Sequence, residues 1–295
     1  MPAITTGFDA ALEVDTAFVT EHCRWLVESG CTAIIPLGSL GEGATLEFEE
    51  KLAVIDACVK GAAARAPVAP AISALRTPDA VKLAKAAYDR GAQGLMVLPP
   101  YVYKGDWREM KAHVAAVLHA TPLSAMLYNN PISYGTDFLP EQIAELAQEH
   151  ENLHAVKESS ADVRRITAIR ALVGDRLQIS AGVDDLILEA IGAGAVGWVA
   201  GLVNAMPRES VALFEHGIRG EHKKAFELYR WFLPLLRMDT VPKFVQLIKL
   251  VQQECGKGSA RVRPPRLLVT DNELAEALAT IKQALADRPR LAAQA

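Results

Sequence analysis

The chain of 295 residues has few cysteines and aromatic residues and no long apolar run. Its four cysteines show no CxxC spacing, so the sequence predicts neither a zinc site nor a disulfide framework. No basic block exceeds two residues and the formal net charge is −4, which argues against nucleic acid and acidic membranes as partners. A membrane span and a signal segment are also missing. We expect a soluble cytoplasmic protein that acts on a small neutral or anionic molecule.

Short apolar runs recur along the chain, and each is followed by helical periodicity. Because these runs lack strict alternation, they are typical of parallel strands buried on both faces. The predicted strands are Ala3–Thr6, Thr32–Leu37, Val68–Ile72, Gly94–Leu98, Leu123–Tyr128, Leu153–Lys157, Leu177–Ala181 and Val196–Ala200.

Eight such units predict an α/β fold, a closed (β/α)8 TIM barrel over residues 1–209. The helical pattern of residues 210–295, interrupted by Pro234 and Pro242, predicts a C-terminal helical extension. An open doubly wound sheet is the alternative fold, but no GxGxxG follows the first strand.

Lys157 stands where a buried strand should reach the end of the barrel, after the apolar run 153–156. A lysine at the rim of an apolar interior loses hydration of its ammonium form, which favours the nucleophilic amine needed for carbonyl chemistry. The alternative is a surface lysine paired with Glu158. By strand alternation His154 points outward, and we interpret it as structural.

Two other strand ends carry candidate reactive groups, as expected for a barrel of this kind. Gly38–Gly41 follows the second strand, and its amide N–H groups and the Ser39 hydroxyl can face a carboxylate or carbonyl oxygen. Tyr128 ends the fifth strand on the face of the barrel interior. The alternatives are an ordinary turn and a wall tyrosine bonded to backbone.

Three segments in this order resemble one family: Gly38–Glu42 (G-S-x-G-E), Tyr128–Pro131 (Y-N-x-P) and Lys157–Ser159 (K-E-S). They are similar to the dihydrodipicolinate synthase / N-acetylneuraminate lyase family of class I aldolases and dehydratases. The similarity extends to Ala181–Asp185 and Gly194–Asn204 and covers nearly the whole chain.

The resemblance implies a lyase that forms a Schiff base between Lys157 and a 2-oxo acid. It also implies that Tyr128, assisted by Ser39, relays protons, that no metal or organic cofactor is needed, and that the protein is a homotetramer. The substrate-binding residues implied are Gly38, Ser39, Leu40, Gly41, Asn130, Tyr134 and Val199.

Departures from the synthase pattern bear on the substrate. Synthases usually carry Thr-Thr where Ser39-Leu40 stands, so one hydroxyl of the relay survives. They also carry an arginine at the position of Ser133, and serine cannot make a bidentate carboxylate clamp. A relay tyrosine, which in the synthases reaches into a neighbouring subunit, is replaced by Val102 unless Tyr103 substitutes for it. These departures disfavour lysine biosynthesis, and the apolar Trp198–Ala200 disfavours a sugar polyol such as N-acetylneuraminate.

Three further segments resemble the 1-pyrroline-4-hydroxy-2-carboxylate deaminases of hydroxyproline degradation: Tyr128–Tyr134, Ser159–Arg165 and Gly197–Gly201. The resulting hypothesis is deamination of that cyclic imino acid to 2,5-dioxopentanoate and ammonia. Three alternatives stay open. They are a 2-keto-3-deoxy-sugar-acid dehydratase or aldolase, dihydrodipicolinate synthase itself, and a catalytically silent 2-oxo-acid-binding sensor on the same barrel.

Overall fold

The computed structural model describes residues 1–101 and 103–291, and its central element is a parallel sheet of six strands. Each strand pairs with the one that follows it in the sequence. All six overlap predicted strands. Their bounds are β1 (Ala71–Ile72), β2 (Gly94–Val97), β3 (Ser124–Asn129), β4 (Leu153–Glu158), β5 (Gln178–Ala181) and β6 (Gly197–Trp198).

Two further extended segments close this sheet into a barrel. The chain at Ala3 bridges the segment Ile34–Ile35, which bridges Val68 just before β1. On the other side, Pro2 bridges Ala200 just after β6. With the six strands, these two segments complete the eight positions of a (β/α)8 barrel, so the predicted fold class is confirmed. The first two predicted strands are present only as these single bridges.

Helices follow the strands and cover the barrel. Two of them begin at aspartates whose carboxylates accept a hydrogen bond from the first turn, Asp15 from Phe18 N and Asp106 from Glu109 N. In the part of the chain that the structure describes, no helix is long and apolar enough to cross a bilayer. The helices up to β6 are α1 (Thr16–Glu28), α2 (Phe48–Ala62), α3 (Thr77–Asp89), α4 (Trp107–Leu118), α5 (Pro131–Tyr134), α6 (Pro140–Glu149), α7 (Arg164–Val173) and α8 (Ile187–Gly192).

The residues after β6 are helical, as predicted. Pro234 lies inside α10, whereas Pro242 lies in the break between α10 and α11. This break contains a 3-10 turn, Arg237–Asp239, that packs against the turn Asp184–Leu186 after β5. The four helices are α9 (Pro207–Ile218), α10 (His222–Leu236), α11 (Phe244–Glu254) and α12 (Asp271–Ala286).

Two charged pairs tie the C-terminal part of the chain to the barrel. The Lys249 amine on α11 donates to the Glu42 carboxylate at 2.5 Å, and the two side chains are 2% and 0% exposed. Arg263 binds both oxygens of Glu50 at 2.7 and 2.8 Å and also donates to the Leu12 carbonyl. Since Glu42 ends the Gly38–Gly41 loop, α11 supports one wall of the barrel mouth.

Candidate active site

Lys157 lies near the end of β4, directly beside Tyr128 on β3. The two residues are paired across the parallel ladder, and Lys157 is only 6% exposed. The Lys157 Nζ lies 4.1 Å from the centroid of the Tyr128 ring, a distance at which the ring face attracts an ammonium group. The sheet therefore brings together the amine and the phenol that the sequence singled out.

Gly182, just after β5, makes room for the Lys157 side chain. A methyl group on Gly182 would lie 1.9 Å from Ser159 Oγ, 2.6 Å from Lys157 Cε and 2.9 Å from Lys157 Cγ. Side-chain atoms essentially never approach so closely, so any larger residue would displace one of these groups. The Lys157 side chain is thus confined between the Tyr128 ring and the Gly182 backbone.

Glu158 is not the partner of Lys157. Its carboxylate oxygens accept from Asn129 Nδ2 at 3.0 Å and from Ser160 N at 2.7 Å. Burial raises the pKa of Glu158, and these hydrogen bonds oppose the rise. Neighbouring residues of a strand face opposite sides, so the alternative of a surface lysine paired with Glu158 is wrong. His154 is exposed, as the alternation predicts.

Three hydroxyl side chains lie between β3 and the loop after the second strand position: Tyr128, Tyr134 and Ser39. Asn130 Nδ2 donates to the Tyr128 hydroxyl at 2.8 Å and so orients the phenol. The Tyr134 ring meets the Tyr128 ring edge-on, with centroids 5.9 Å apart, and the Tyr134 hydroxyl hydrogen-bonds the Ser39 hydroxyl. Burial raises the pKa of Tyr134, and the neighbouring Tyr128 adds to the rise. Ser39 therefore reaches Tyr128 through Tyr134 rather than directly.

The Gly38–Gly41 loop presents free backbone donors. A methyl group on Gly41 would lie 2.8 Å from the Ile4 carbonyl oxygen, so this close approach requires glycine. The Thr6 hydroxyl donates to the Gly41 carbonyl at 2.6 Å and holds the loop against the barrel. Within residues 1–101 and 103–291, the N–H groups of Ser39, Leu40 and Gly41 donate to no protein acceptor. Such adjacent free donors suit a carboxylate.

A buried carboxyl, Asp184, stands near Lys157 at the ends of the last two strands. Its oxygens accept from Trp198 Nε1 at 2.9 Å, from Leu202 N at 2.8 Å and from Gly201 N at 3.1 Å. Burial raises the pKa of Asp184 to about 6, while these donors and the charge of Lys157 oppose the rise.

The other residues chosen from the sequence fall in different places. Val199 is 2% exposed and its N–H donates to the Ala181 carbonyl at 2.9 Å, so it is part of the strand-end wall. Tyr103 is 61% exposed and donates to Glu109, so within this chain it does not substitute for a relay tyrosine. Val102 lies outside the described residues. Ser133 is exposed, and its N–H is capped by Asn130.

Sequence reasoning missed three residues of this neighbourhood as site groups: Gly182, Asp184 and Asp239. Gly182 and Asp184 belong to the segment Ala181–Asp185 that follows a predicted strand, so their position was a usable signal. Asp239 gives no such signal, because its turn lies in the helical extension and only the folded chain brings it to the barrel.

Two further features concern metal ligands and open space. Among the residues that the structure describes, no group of three or more His, Cys, Asp or Glu side chains is placed to hold a metal ion. A cavity of about 540 Å³ lies away from Lys157, between the end of the first strand position, α1 and α11. Lys157 and Tyr128 do not line this cavity.

Fold and site together define a barrel enzyme of the class I aldolase type, with a lysine at the end of the sixth strand position. Comparison with known proteins then gives the family. The Dihydrodipicolinate synthetase family profile matches residues 1–284, and the chain belongs to this family. It is a lyase of the Schiff-base-forming type.

Relatives and solved structures agree with this assignment. The 4-hydroxy-tetrahydrodipicolinate synthase of Geotalea uraniireducens is 31% identical over 285 residues, 95% of this chain and 96% of that protein. The synthase of Rhizobium meliloti is 30% identical over 278 residues, 94% and 95% of the two chains. Dihydrodipicolinate synthase from Bacillus anthracis superposes with a TM-score of 0.91 at 29% identity, covering 98% of this chain and 97% of that one. The Aquifex aeolicus enzyme gives 0.90 at 28% identity, with coverage of 97% and 96%.

Proposed function

We propose that this enzyme deaminates 1-pyrroline-4-hydroxy-2-carboxylate to 2,5-dioxopentanoate and ammonia. The observation that carries the proposal is the Lys157 amine, buried at the end of β4 and 4.1 Å above the ring of its ladder partner Tyr128. The segments Ser159–Arg165 and Gly197–Gly201 favour the deaminase branch over other Schiff-base lyases.

The reaction begins when the Lys157 amine attacks C2 of the ring imine. The bond from C2 to the ring nitrogen breaks, which leaves a Schiff base on the enzyme and a free amine on C5. Loss of a C3 proton gives an enamine, whose electrons expel the 4-hydroxyl. Proton shifts then place an imine at C5, and water hydrolyses this imine to ammonia and the Schiff base to the dioxo acid. Water is taken up overall, and no redox step occurs.

The groups near Lys157 each have a role in these reaction steps. The free N–H groups of Gly38–Gly41 bind the substrate carboxylate, with Leu40 and Val199 as apolar walls. Tyr128 transfers protons to and from the reacting carbons, and Asn130 orients its hydroxyl. The Tyr134 ring packs against Tyr128 and its hydroxyl hydrogen-bonds Ser39, so Tyr134 positions Ser39 to assist Tyr128.

The second candidate is the synthase reaction, which the names of the relatives favour. One observation weighs against it. Ser133 offers no guanidinium for the carboxylate of an aldehyde substrate, and its N–H is capped by Asn130. A dehydratase or aldolase of 2-keto-3-deoxy sugar acids needs the same lysine and differs in the groups that line the pocket.

Borohydride trapping and turnover assays test the proposal separately. Incubation with pyruvate and borohydride, followed by peptide mapping, is expected to leave a reduced adduct on Lys157, and Lys157→Arg is expected to leave none. Coupled assays then compare the hydroxypyrroline carboxylate, a 2-keto-3-deoxy sugar acid, and pyruvate with aspartate semialdehyde. Turnover of either rival substrate without ammonia release from the hydroxypyrroline would refute the deaminase assignment.

Assembly and location are further parts of the proposal. We infer that the protein is a homotetramer in the cytoplasm. Each chain consists of a barrel at residues 1–209 and a helical extension at residues 210–295. The family pattern and the absence of a zinc or disulfide framework in the sequence support this. The molar mass measured by light scattering after size-exclusion chromatography tests the assembly. A mass near that of one 31.8 kDa chain would contradict the tetramer.

A further inference from the structure

Asp239 is a partly buried residue whose carboxyl takes no part in the reaction described above. It ends the 3-10 turn Arg237–Asp239, between α10 and α11. Its Oδ1 is shielded from solvent and, in the part of the chain that the structure describes, has no hydrogen-bond partner. An unpaired buried carboxyl oxygen is costly, so its retention calls for a ligand or a reaction that uses it.

The backbone of Gly201 sets the position of this carboxyl. A methyl group on Gly201 would lie 2.0 Å from Asp239 Oδ1 and 2.8 Å from Oδ2, so the carboxyl packs directly on the glycine. The N–H of the same glycine donates to Asp184. Two carboxyls thus meet at Gly201, just beyond the end of the eighth strand position.

The two carboxyls have opposite surroundings. Asp184 is bonded by three donors that favour its ionised form. Among residues 1–101 and 103–291, no group donates a hydrogen bond to the Asp239 carboxyl, and burial, aided by the negative charge of Asp184, raises its pKa well above the usual range. Gly182 packs on the Lys157 side chain and Asp184 follows two residues later, so the two carboxyls that meet at Gly201 lie at the strand ends beside the reacting amine. A pair of carboxyls whose surroundings differ in this way is a recurring arrangement for acid catalysis.

The geometry points to Asp239 as the acid that protonates the departing 4-hydroxyl of the adduct on Lys157. This inference rests on the proposed deaminase function. In the elimination, the enamine electrons form the C3–C4 double bond as the C4–O bond breaks. The Asp239 proton passes to the leaving oxygen, so water departs and the nitrogen becomes the positively charged Schiff base. The carboxylate then regains its proton from solvent.

Asp239→Asn keeps the size of the side chain but cannot supply a proton. We expect kcat for the hydroxypyrroline to fall about 10²–10⁴-fold, the usual contribution of a general acid, with little change in KM. Trapping of pyruvate on Lys157 should be unchanged, because that step expels no hydroxyl. Gly201→Ala, which displaces the carboxyl, should lose turnover in the same way. Asp175→Asn is the matched control, since the Asp175 side chain is fully exposed in the turn before β5 and the variant should keep its rate.

A substrate with chloride at C4 separates an acid from a merely structural carboxyl. Chloride leaves without a proton, so Asp239→Asn should consume this analogue within a few fold of the wild type. If the wild type turns over the hydroxypyrroline and Asp239→Asn does so equally fast, the inference is wrong but the proposed function stands. Equal losses on both substrates would also overturn it. A wild type that traps pyruvate but releases no ammonia overturns the proposed function itself, and the inference with it.

Discussion

Replacing Gly182 with alanine should displace the reactive amine without changing any charged or hydroxyl group. The new methyl carbon would lie 2.6 Å from Lys157 Cε, which must retreat by roughly 0.8 Å to reach an ordinary contact near 3.4 Å. Ser159 Oγ, at 1.9 Å, must move further. Because a misplacement of about 1 Å can cost about 10²-fold in rate, we expect Schiff-base formation to slow about a hundredfold.

The assay is the rate of pyruvate trapping by borohydride, compared among three proteins. Gly192→Ala is the matched control, because a methyl group there meets nothing within 4 Å and the site is helical. Alanine in the helix should stabilise that variant by up to about 1 kcal/mol and leave trapping unchanged. If Gly182→Ala traps pyruvate as fast as Gly192→Ala, the claim that Gly182 sets the position of Lys157 fails.

Three other predictions concern Tyr128, His22 and Arg263. Tyr128→Phe keeps the ring below Lys157 but removes proton transfer, so turnover should fall about 10²–10⁴-fold; a loss under tenfold contradicts the relay. Burial lowers the pKa of His22 from 6.5 to about 4. As the pH falls from 6.5 to about 4, His22 gains a proton in the unfolded chain but stays neutral in the folded one. The free energy of unfolding should therefore drop by about 3 kcal/mol over this range. Urea titrations should show a flatter dependence for His22→Gln. Arg263→Lys loses the paired contact with both oxygens of Glu50, so the free energy of unfolding should fall by about 2 kcal/mol. An unchanged midpoint of urea unfolding would contradict this prediction.

Strand periodicity predicted the barrel because its signal is local. β4 and β3 lie almost where their apolar runs stand, and their register alone places Lys157 beside Tyr128. The first two strand positions were overestimated in length, since an apolar run reports burial and not ladder hydrogen bonds. Only single bridges form at Ala3 and at Ile34.

The parts of the site that could not be predicted depend on contacts between distant residues. The partner of Ser39 is Tyr134, 95 residues away, and no spacing rule distinguishes it from Tyr128. Asp239 meets Gly201 only because the break after α10 folds back onto the barrel. Tyr103, the suggested replacement relay group, is exposed and bonds Glu109 in the single chain, so its role depends on contacts with a neighbouring subunit.

The ion pair between Lys249 and Glu42 bears on how far this molecule can be divided. One member belongs to a C-terminal helix and the other to the barrel, and both are sealed from water. Cutting the chain between them would strand a lone charge in each fragment, at a cost of about 3–5 kcal/mol. The chain should therefore melt in one cooperative transition, and a trimmed barrel intended as a minimal catalyst should fail to fold. Any transplant of the 38–42 loop into another scaffold must bring a cation to meet its glutamate.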